Sequence, residues 1–187
     1  MRHPEIEIRS VDNPEQKDID WADCLACFSV PENLSLKKLP WIHSFNAGVD
    51  SIVRRDDLNA NVKLTRTTGQ FGGKAGEFCL NHILNFHQNT FAVYDAMEKK
   101  HWAQRPPGFC KDERVLILGT GSMGLGIAST LKCLKIESIG VNTRGQVSGS
   151  EFSHCLKMDS ISQIANEISC VINTLPLNQK TNGLIDF

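Results

Sequence analysis

The chain has 187 residues, a formal net charge of −1 at pH 7 and an isoelectric point near 6.6. This length suffices to bury a hydrophobic core in one or two domains, and the balanced charge gives no general attraction to nucleic acid or to a membrane surface. Because the N-terminus lacks an apolar signal-peptide core and no segment approaches the ~20 apolar residues of a membrane span, we expect a soluble, cytoplasmic protein.

The cysteines and histidines form no recognisable metal or disulfide pattern. Seven cysteines at irregular spacing suit a reducing compartment. Cys24 and Cys27 form a C-x-x-C pair, but it lies in an apolar, strand-like segment without a second such pair. We therefore predict core thiols rather than redox or zinc chemistry. His82 and His87 do not share the i, i+4 helical face that a metal pair needs, so no metal site is expected.

The first half of the chain alternates short apolar runs with turn-rich segments. The runs predict β-strands at residues 5–9, 23–28, 41–45 and 62–65. A long helix is predicted over residues 76–100, and its many apolar positions indicate a helix that is substantially buried or shared between two domains. Pro106, Pro107 and Gly108 then break the helical pattern. The expected domains are residues 1–100 and 101–187.

The second half opens with the pattern of a dinucleotide-binding unit. Residues 114–118 are a run of branched apolar residues, typical of a strand buried on both faces of a parallel sheet. The run leads into a G-x-G-x-x-G turn, a helix over residues 122–134 and a strand over residues 136–141. Gly119 permits the tight turn, Gly121 lets a pyrophosphate approach the backbone, and Gly124 lets the helix lie close to the strand. The phosphates would then lie at the helix N-terminus. A purely structural glycine turn is the alternative.

The end of the next strand indicates which dinucleotide is preferred. An NAD site usually places Asp or Glu there to bind the ribose hydroxyls, whereas a 2′-phosphate needs hydroxyl and guanidinium donors. Residues 140–150 contain no carboxylate, and Asn142 is followed by Thr143 and Arg144. This pair predicts that NADP(H) is preferred over NAD(H). The alternative is that Arg144 is an ordinary surface arginine.

The remaining pattern continues the alternation of strands and helices. A strand is predicted at residues 153–157, a helix beginning at Asp159, and a strand at residues 170–175. Asp159 is either the cap of that helix or an ordinary exposed aspartate. The predicted fold class is α/β, with two doubly wound, Rossmann-like parallel-sheet lobes that are both incomplete.

The ordered motifs resemble a known enzyme family. The segments are WIHSFNAGVDSI, GGKAGEFCLNHIL, HWAQRPPG, VLILGTGSMGLGIASTL, NTR and CVINTLPLNQKTNGLI. Together they resemble the D-isomer-specific 2-hydroxyacid dehydrogenases, and within them the NADPH-preferring glyoxylate and hydroxypyruvate reductase branch. The resemblance implies a partial substrate domain followed by a partial NAD(P)-binding Rossmann domain. It also implies reduction of a small 2-keto acid to the D-2-hydroxy acid, and a homodimer.

The resemblance assigns roles to particular positions. The substrate carboxylate would be bound by a loop whose glycine permits close approach of backbone amides, which we expect to form an anion nest. A simple strand-to-helix turn is the alternative for this loop, and Asn46 stands where the family usually has glycine. The implied substrate-binding residues are Ala47, Gly48 and Val49. The implied cofactor-binding residues are Gly119, Gly121, Ser122, Met123, Gly124, Thr143, Arg144, Leu175 and Pro176.

No position in the chain matches the family's catalytic arginine, glutamate and histidine. In the family these residues lie beyond the strand that corresponds to residues 170–175. The resemblance therefore implies a fragment truncated at both ends, without catalytic activity of its own. The alternative function is a non-catalytic protein that binds a dinucleotide or a partner.

Overall fold

The computed structural model describes residues 5–69, 71–146 and 149–185. After Gly69 the chain divides into two compact units. The N-terminal unit contains helix α1 (Gln16–Trp21), strand β1 (Cys24–Cys27), strand β2 (Trp41–Ser44), helix α2 (Asp50–Val53) and strand β3 (Lys63–Arg66). Its strands form a parallel sheet in the order β1-β2-β3.

The core of the N-terminal unit lies around the central strand β2. Ile42 of this strand is fully buried, and Ile19 of α1 and Ile52 of α2 pack into the same cluster. Three leucines of the connection between β1 and β2 complete the cluster: Leu34, Leu36 and Leu39. Burial of these side chains fixes the start of α2, and therefore the loop that precedes it.

Two predictions for the N-terminal unit are wrong. Residues 5–9 form no strand, and Ile6 and Ile8 are exposed, because alternation alone does not make a strand without a neighbour that accepts its hydrogen bonds. Cys24 is exposed and Cys27 only half-buried, because β1 is an edge strand of this sheet. The cysteines at these two positions are therefore not both core thiols.

The C-terminal unit contains a second parallel sheet flanked by helices. Helix α3 (Phe71–His87) and helix α4 (Thr90–Glu98) precede strand β4 (Arg114–Leu118), helix α5 (Ser122–Cys133) and strand β5 (Glu137–Val141). Strands β6 (His154–Leu156) and β7 (Cys170–Asn173) follow. The strand order is β6-β5-β4-β7. The parallel strands and flanking helices confirm the predicted Rossmann-like α/β fold.

Strand β4 is buried on both faces, as its apolar run predicts. On one face Val115 and Ile117 pack with Ile127 and Leu131 of α5. On the other face Leu116 and Leu118 form a separate cluster with β5. The glycine turn thus begins at the end of a strand that is buried on both faces.

The predicted helix over residues 76–100 is two helices. The break falls at Asn89, whose φ of 52° is left-handed and therefore incompatible with a continuous α-helix. Of the two predicted alternatives, substantial burial is wrong, since Ile83 is the only large apolar residue of α3 that is buried and α4 buries none. Both helices expose an apolar surface, which we call the α3–α4 apolar surface: Phe78, Phe86, Phe91, Tyr94 and Met97.

Helix α3 packs against α5 within the C-terminal unit. A Cβ on Gly72 would lie 2.8 Å from the Cα of Gly126, so the two backbones touch where the helices cross. For this reason the division between compact units falls after Gly69, whereas the sequence places the domain boundary after residue 100.

The helix predicted from Asp159 is not formed. Met158–Gln163 and Ala165–Glu167 are 3₁₀ turns, and Lys157 precedes the first of them without a side-chain cap. Asp159 is therefore not a helix cap, and it is exposed, as the alternative interpretation holds. Across the described ranges, no helix has the length and apolar character of a membrane span.

Candidate functional site

Three chain segments meet at one edge of the C-terminal sheet. Because β5, β4 and β7 are neighbouring parallel strands, the segments that follow them emerge at the same edge. These segments are residues 142–146 after β5, the glycine turn after β4, and residues 174–176 after β7. In open α/β sheets this edge is where ligands bind.

The first glycine of the turn is held in a left-handed conformation. Gly119 has a φ of 100°, and a Cβ at this position would lie 2.6 Å from the hydroxyl oxygen of Thr174. Thr174 also donates that hydroxyl to the carbonyl oxygens of Leu118 (2.9 Å) and Gly119 (3.1 Å). The turn is therefore braced from the β7 side by a residue that the sequence motif does not include.

The second and third glycines have different surroundings. A Cβ on Gly124 would overlap the carbonyl oxygen of Gly119, so this glycine is required for the turn itself. A Cβ on Gly121 would meet no atom within 4 Å, so the space in front of Gly121 is open. Gly121 precedes α5 without a side-chain cap. The first N–H groups of the helix, at Ser122 and Met123, have no partner one turn back and face an open N-terminus.

Residues 142–146 form a compact loop, which we call the basic loop. The Asn142 carbonyl oxygen Oδ1 accepts hydrogen bonds from the backbone N–H groups of Arg144 (2.9 Å) and Gly145 (2.7 Å). Gly145 is left-handed, with a φ of 68°, and lies against the side chain of Lys157. Thr143 and Arg144 are both exposed, and no ion pair of the Arg144 guanidinium is found within the described residues. Among the residues that the structure describes, its donors are therefore free to bind an anion.

Leu175 and Pro176 follow β7 at the third segment of this edge. Leu175 is half-buried against the cluster of Leu116, Leu118, Ile139 and Val141, and its N–H donates to the Asn173 side chain at 3.0 Å. Pro176 is exposed, and its carbonyl oxygen accepts a hydrogen bond from the Thr181 hydroxyl. The structure thus brings all of the predicted cofactor-binding residues to one edge of one sheet.

The predicted substrate loop lies between β2 and α2 in the N-terminal unit. Val49 immediately precedes α2, and its carbonyl oxygen accepts from the N–H groups of Ile52 and Val53. Arg66, which ends β3, donates from its guanidinium to the carbonyl oxygen of Ala47. The loop therefore has a cationic side chain directly beside it, and the family motif gave no signal for it.

Asn46 and Gly48 clarify the shape of this loop. Asn46 is not among the residues with positive φ, and its side chain donates to the carbonyl oxygen of Phe28 at 2.7 Å. An asparagine in place of the family's glycine is therefore accommodated without backbone strain. Gly48 also lacks a positive φ, so the alternating αR–αL backbone of an anion nest is not formed at this glycine. An anion nest at this loop would therefore need the turn type of backbone, and substrate binding by the loop stays a prediction.

An ion pair fixes the chain that follows α2. Arg55 donates to both carboxylate oxygens of Asp57, at 2.8 and 3.0 Å, and to the carbonyl oxygens of Pro31 and Leu34. The hydrogen bonds from Arg55 and from the N–H of Leu36 lower the pKa of Asp57 to about 2. The charged form of Asp57 therefore ties the β1–β2 connection to the end of α2.

Comparison with known proteins decides the family. The model of the D-isomer specific 2-hydroxyacid dehydrogenase NAD binding domain matches residues 80–187, which is more than half of the chain. The chain belongs to this family. The resemblance drawn from the sequence motifs is thereby confirmed, and the members of the D-isomer specific 2-hydroxyacid dehydrogenase family are NAD(P)-dependent oxidoreductases.

Individual relatives share the fold at low sequence identity. A D-isomer specific 2-hydroxyacid dehydrogenase of Xanthobacter autotrophicus Py2, solved with NADPH and MES, has a TM-score of 0.76 and 22% identity, covering 98% of this chain and 60% of that one. The NADPH-dependent glyoxylate/hydroxypyruvate reductase of Sinorhizobium meliloti, solved with NADP and sulfate, has a TM-score of 0.68 and 21% identity. The match covers 76% of this chain and 45% of that one.

A curated relative shows how much of such a protein this chain spans. The uncharacterized protein in the mprR 3′ region of Streptomyces coelicolor is 28% identical over 144 residues, which is 77% of this chain and 51% of that protein. The chain therefore spans about half the length of this relative.

Proposed function

We propose that the chain is part of an NADPH-dependent oxidoreductase that reduces a small 2-keto acid of the glyoxylate or hydroxypyruvate type to the D-2-hydroxy acid. Membership of the 2-hydroxyacid dehydrogenase family supports the reaction class. The structures of similar fold include one solved with NADPH and one named as a glyoxylate/hydroxypyruvate reductase.

The observation that carries the proposed cofactor preference is the composition of the basic loop. Thr143 and Arg144 offer a hydroxyl and a guanidinium at the end of β5, where an NAD site would place a carboxylate. Arg144 is exposed and makes no ion pair within the described part of the chain, so binding a phosphate would not require it to leave another partner. A planar guanidinium binds a phosphate through two parallel hydrogen bonds.

The proposed roles of the other residues follow from their positions. The N–H groups of Ser122 and Met123 would bind the pyrophosphate, with Gly119, Gly121 and Gly124 shaping the turn. Leu175 and Pro176 would contact the adenosine, and Ala47, Gly48 and Val49 would bind the substrate carboxylate. The bound cofactor supplies hydride, while these side chains and amides bind and orient it and the keto acid.

We also propose that the protein associates as a two-fold homodimer through the C-terminal unit. The α3–α4 apolar surface supports this proposal, because Phe86 is 76% exposed and Phe91 is 67% exposed. Large contiguous apolar patches on a soluble protein typically mark interaction sites. A two-fold dimer is also the commonest homo-oligomer.

Two measurements on the 187-residue chain test the proposed function. Fluorescence titration should show that NADPH binds more tightly than NADH, and equal affinities would contradict the cofactor preference. Amide NMR spectra should show shifts at Ala47, Gly48 and Val49 on addition of hydroxypyruvate or glyoxylate, but not on addition of the corresponding uncharged alcohols. A chain that binds dinucleotide and neither keto acid would support the alternative of a non-catalytic dinucleotide-binding protein.

A further inference from the structure

We propose that Asn142 is a positioning residue that sets the 2′-phosphate selectivity of the cofactor site. The proposal rests on the proposed NADPH preference and concerns how that preference is built. Asn142 would not touch the cofactor in this role. It would act by holding the basic loop and the glycine turn at a fixed separation.

All hydrogen-bonding groups of the Asn142 side chain are in use. Its amide Nδ2 donates to the hydroxyl of Thr120 in the glycine turn and to the carbonyl oxygen of Gln146, both at 2.8 Å. Its Oδ1 accepts from the backbone N–H groups of Arg144 and Gly145. An asparagine side chain has two donors and one oxygen with two acceptor sites, so this network is complete.

The network joins the two segments that would bind the two phosphate groups of NADPH. Thr120 lies between the first two glycines of the turn, next to the N-terminus of α5 where the pyrophosphate would bind. Arg144 lies in the basic loop where the 2′-phosphate would bind. Both phosphate groups are attached to the same ribose, so the separation of their sites is fixed by the ligand. A side chain that fixes the same separation in the protein reduces the ordering that binding requires.

The position of Asn142 makes this function specific to one of the two cofactors. Its Oδ1 fixes the backbone of Arg144, whose long side chain is otherwise unrestrained by any ion pair in the described segments. NADH has no 2′-phosphate and would not use Arg144 in this way. Loss of the Asn142 contacts should therefore weaken NADPH binding more than NADH binding.

Thr174 provides a matched comparison on the other side of the turn. It braces the glycine turn through the carbonyl oxygens of Leu118 and Gly119. It makes no hydrogen bond to the basic loop within the described residues. A general loosening of the turn, caused by removing the Thr174 hydroxyl, should weaken NADPH and NADH to the same degree.

The test uses the full chain and calorimetric titration with NADPH and NADH, for the wild type and for Asn142→Ala, Thr120→Val and Thr174→Val. We expect Asn142→Ala and Thr120→Val to weaken NADPH binding about three- to tenfold more than NADH binding, the range of a net hydrogen bond. Thr174→Val should weaken both equally. Thr120→Ser keeps the hydroxyl and should restore the selectivity that Thr120→Val loses.

The outcomes separate this proposal from the proposed function. If the wild type prefers NADPH and Asn142→Ala weakens both cofactors equally or neither, the role of Asn142 is overturned while the NADPH preference stands. If the wild type binds both cofactors equally, both proposals are overturned. Thr120→Val removes the hydrogen bond between Asn142 and Thr120 without altering the basic loop. If Asn142→Ala does not fold, the selectivity of Thr120→Val tests the role of Asn142 instead. The same titrations can be made with adenosine 2′,5′-bisphosphate and adenosine 5′-monophosphate, which lack the nicotinamide. The variants should change the ratio of these two affinities as they change the ratio for NADPH and NADH.

Discussion

The α-carbon of Gly124 faces the carbonyl oxygen of Gly119 so closely that no β-carbon fits between them, whereas nothing lies within 4 Å of the corresponding position at Gly121. Gly124→Ala should therefore destabilise the C-terminal unit, and Gly121→Ala should leave its stability unchanged. Both variants should bind NADPH poorly, because alanine at position 121 occupies the space that the pyrophosphate needs. Urea unfolding and NADPH titration of the two variants check this separation. Normal NADPH binding by Gly121→Ala would contradict the proposed pyrophosphate position.

The glycine turn and the basic loop were predictable from sequence because their chemistry is local. The G-x-G-x-x-G spacing identifies Gly119, Gly121 and Gly124. Their distance from that motif identifies Thr143 and Arg144. Asn142 and Thr174 were not predicted to hold the glycine turn, since the Asn142–Thr120 contact and the contacts of Thr174 depend on which strands are neighbours of β4. That neighbour relation is a long-range property of the sheet, and no spacing along the chain contains it.

Arg144→Ala should reduce the affinity for NADPH selectively. Loss of a hydrogen bond to a charged phosphate should cost about 1.5 to 3 kcal/mol of NADPH binding, while NADH binding should change little. Raising the salt concentration should weaken NADPH binding to the wild type more than to the variant, since the lost interaction is ionic. Parallel fluorescence titrations with both cofactors measure the difference. Arg105→Ala, which removes an exposed arginine outside the basic loop, is the control.

The helices α3 and α4 show why the spacing of apolar residues alone did not predict which of them are buried. Apolar residues such as Phe78 and Met97 predicted a helix that is substantially buried or shared between two domains, but a single sequence does not show whether a neighbouring element or a second molecule covers them. The break at Asn89 was also missed, because asparagine adopts a left-handed conformation at helix ends without the signal that glycine or proline gives. In contrast, the strands around β4 were predicted correctly, since burial on both faces leaves a continuous apolar run.

Charge introduced on the α3–α4 apolar surface should dissociate the proposed dimer. In Phe86→Asp, association would require burial of an unpaired carboxylate, which is costly. Light scattering should report a dimer for the wild type and a monomer for the variant at micromolar concentration. Ile8→Asp is the matched control, because Ile8 is also an exposed apolar residue but lies in the N-terminal unit. A monomeric wild type would contradict the proposal.

The Arg55–Asp57 ion pair should make the stability of the N-terminal unit depend on acidity. The pKa of Asp57 is lowered in the folded protein from an ordinary value of 3.8 to about 2. The stabilisation is therefore fully present above about pH 4 and is lost as pH falls through that range towards about 2, where the folded state also takes up the proton. Asp57→Asn should be less stable than the wild type at neutral pH, and the gap should narrow on acidification. Urea unfolding at several pH values, with the exposed Asp56→Asn as the control, measures the effect.

Two buried serines, Ser138 and Ser44, should respond in opposite directions to substitution by alanine. Ser138 of β5 is 3% exposed, and its hydroxyl has no hydrogen-bond partner within the described residues. Ser44 of β2 is 1% exposed, and its hydroxyl accepts from the N–H of Asn46 at 3.1 Å. Since a buried hydroxyl without a partner is costly, Ser138→Ala should raise the free energy of unfolding by about 1 kcal/mol, whereas Ser44→Ala should lower it by a similar amount. Thermal and urea unfolding of the two variants measure both changes. Destabilisation by Ser138→Ala would show that its hydroxyl is satisfied in solution, for example by a buried water molecule.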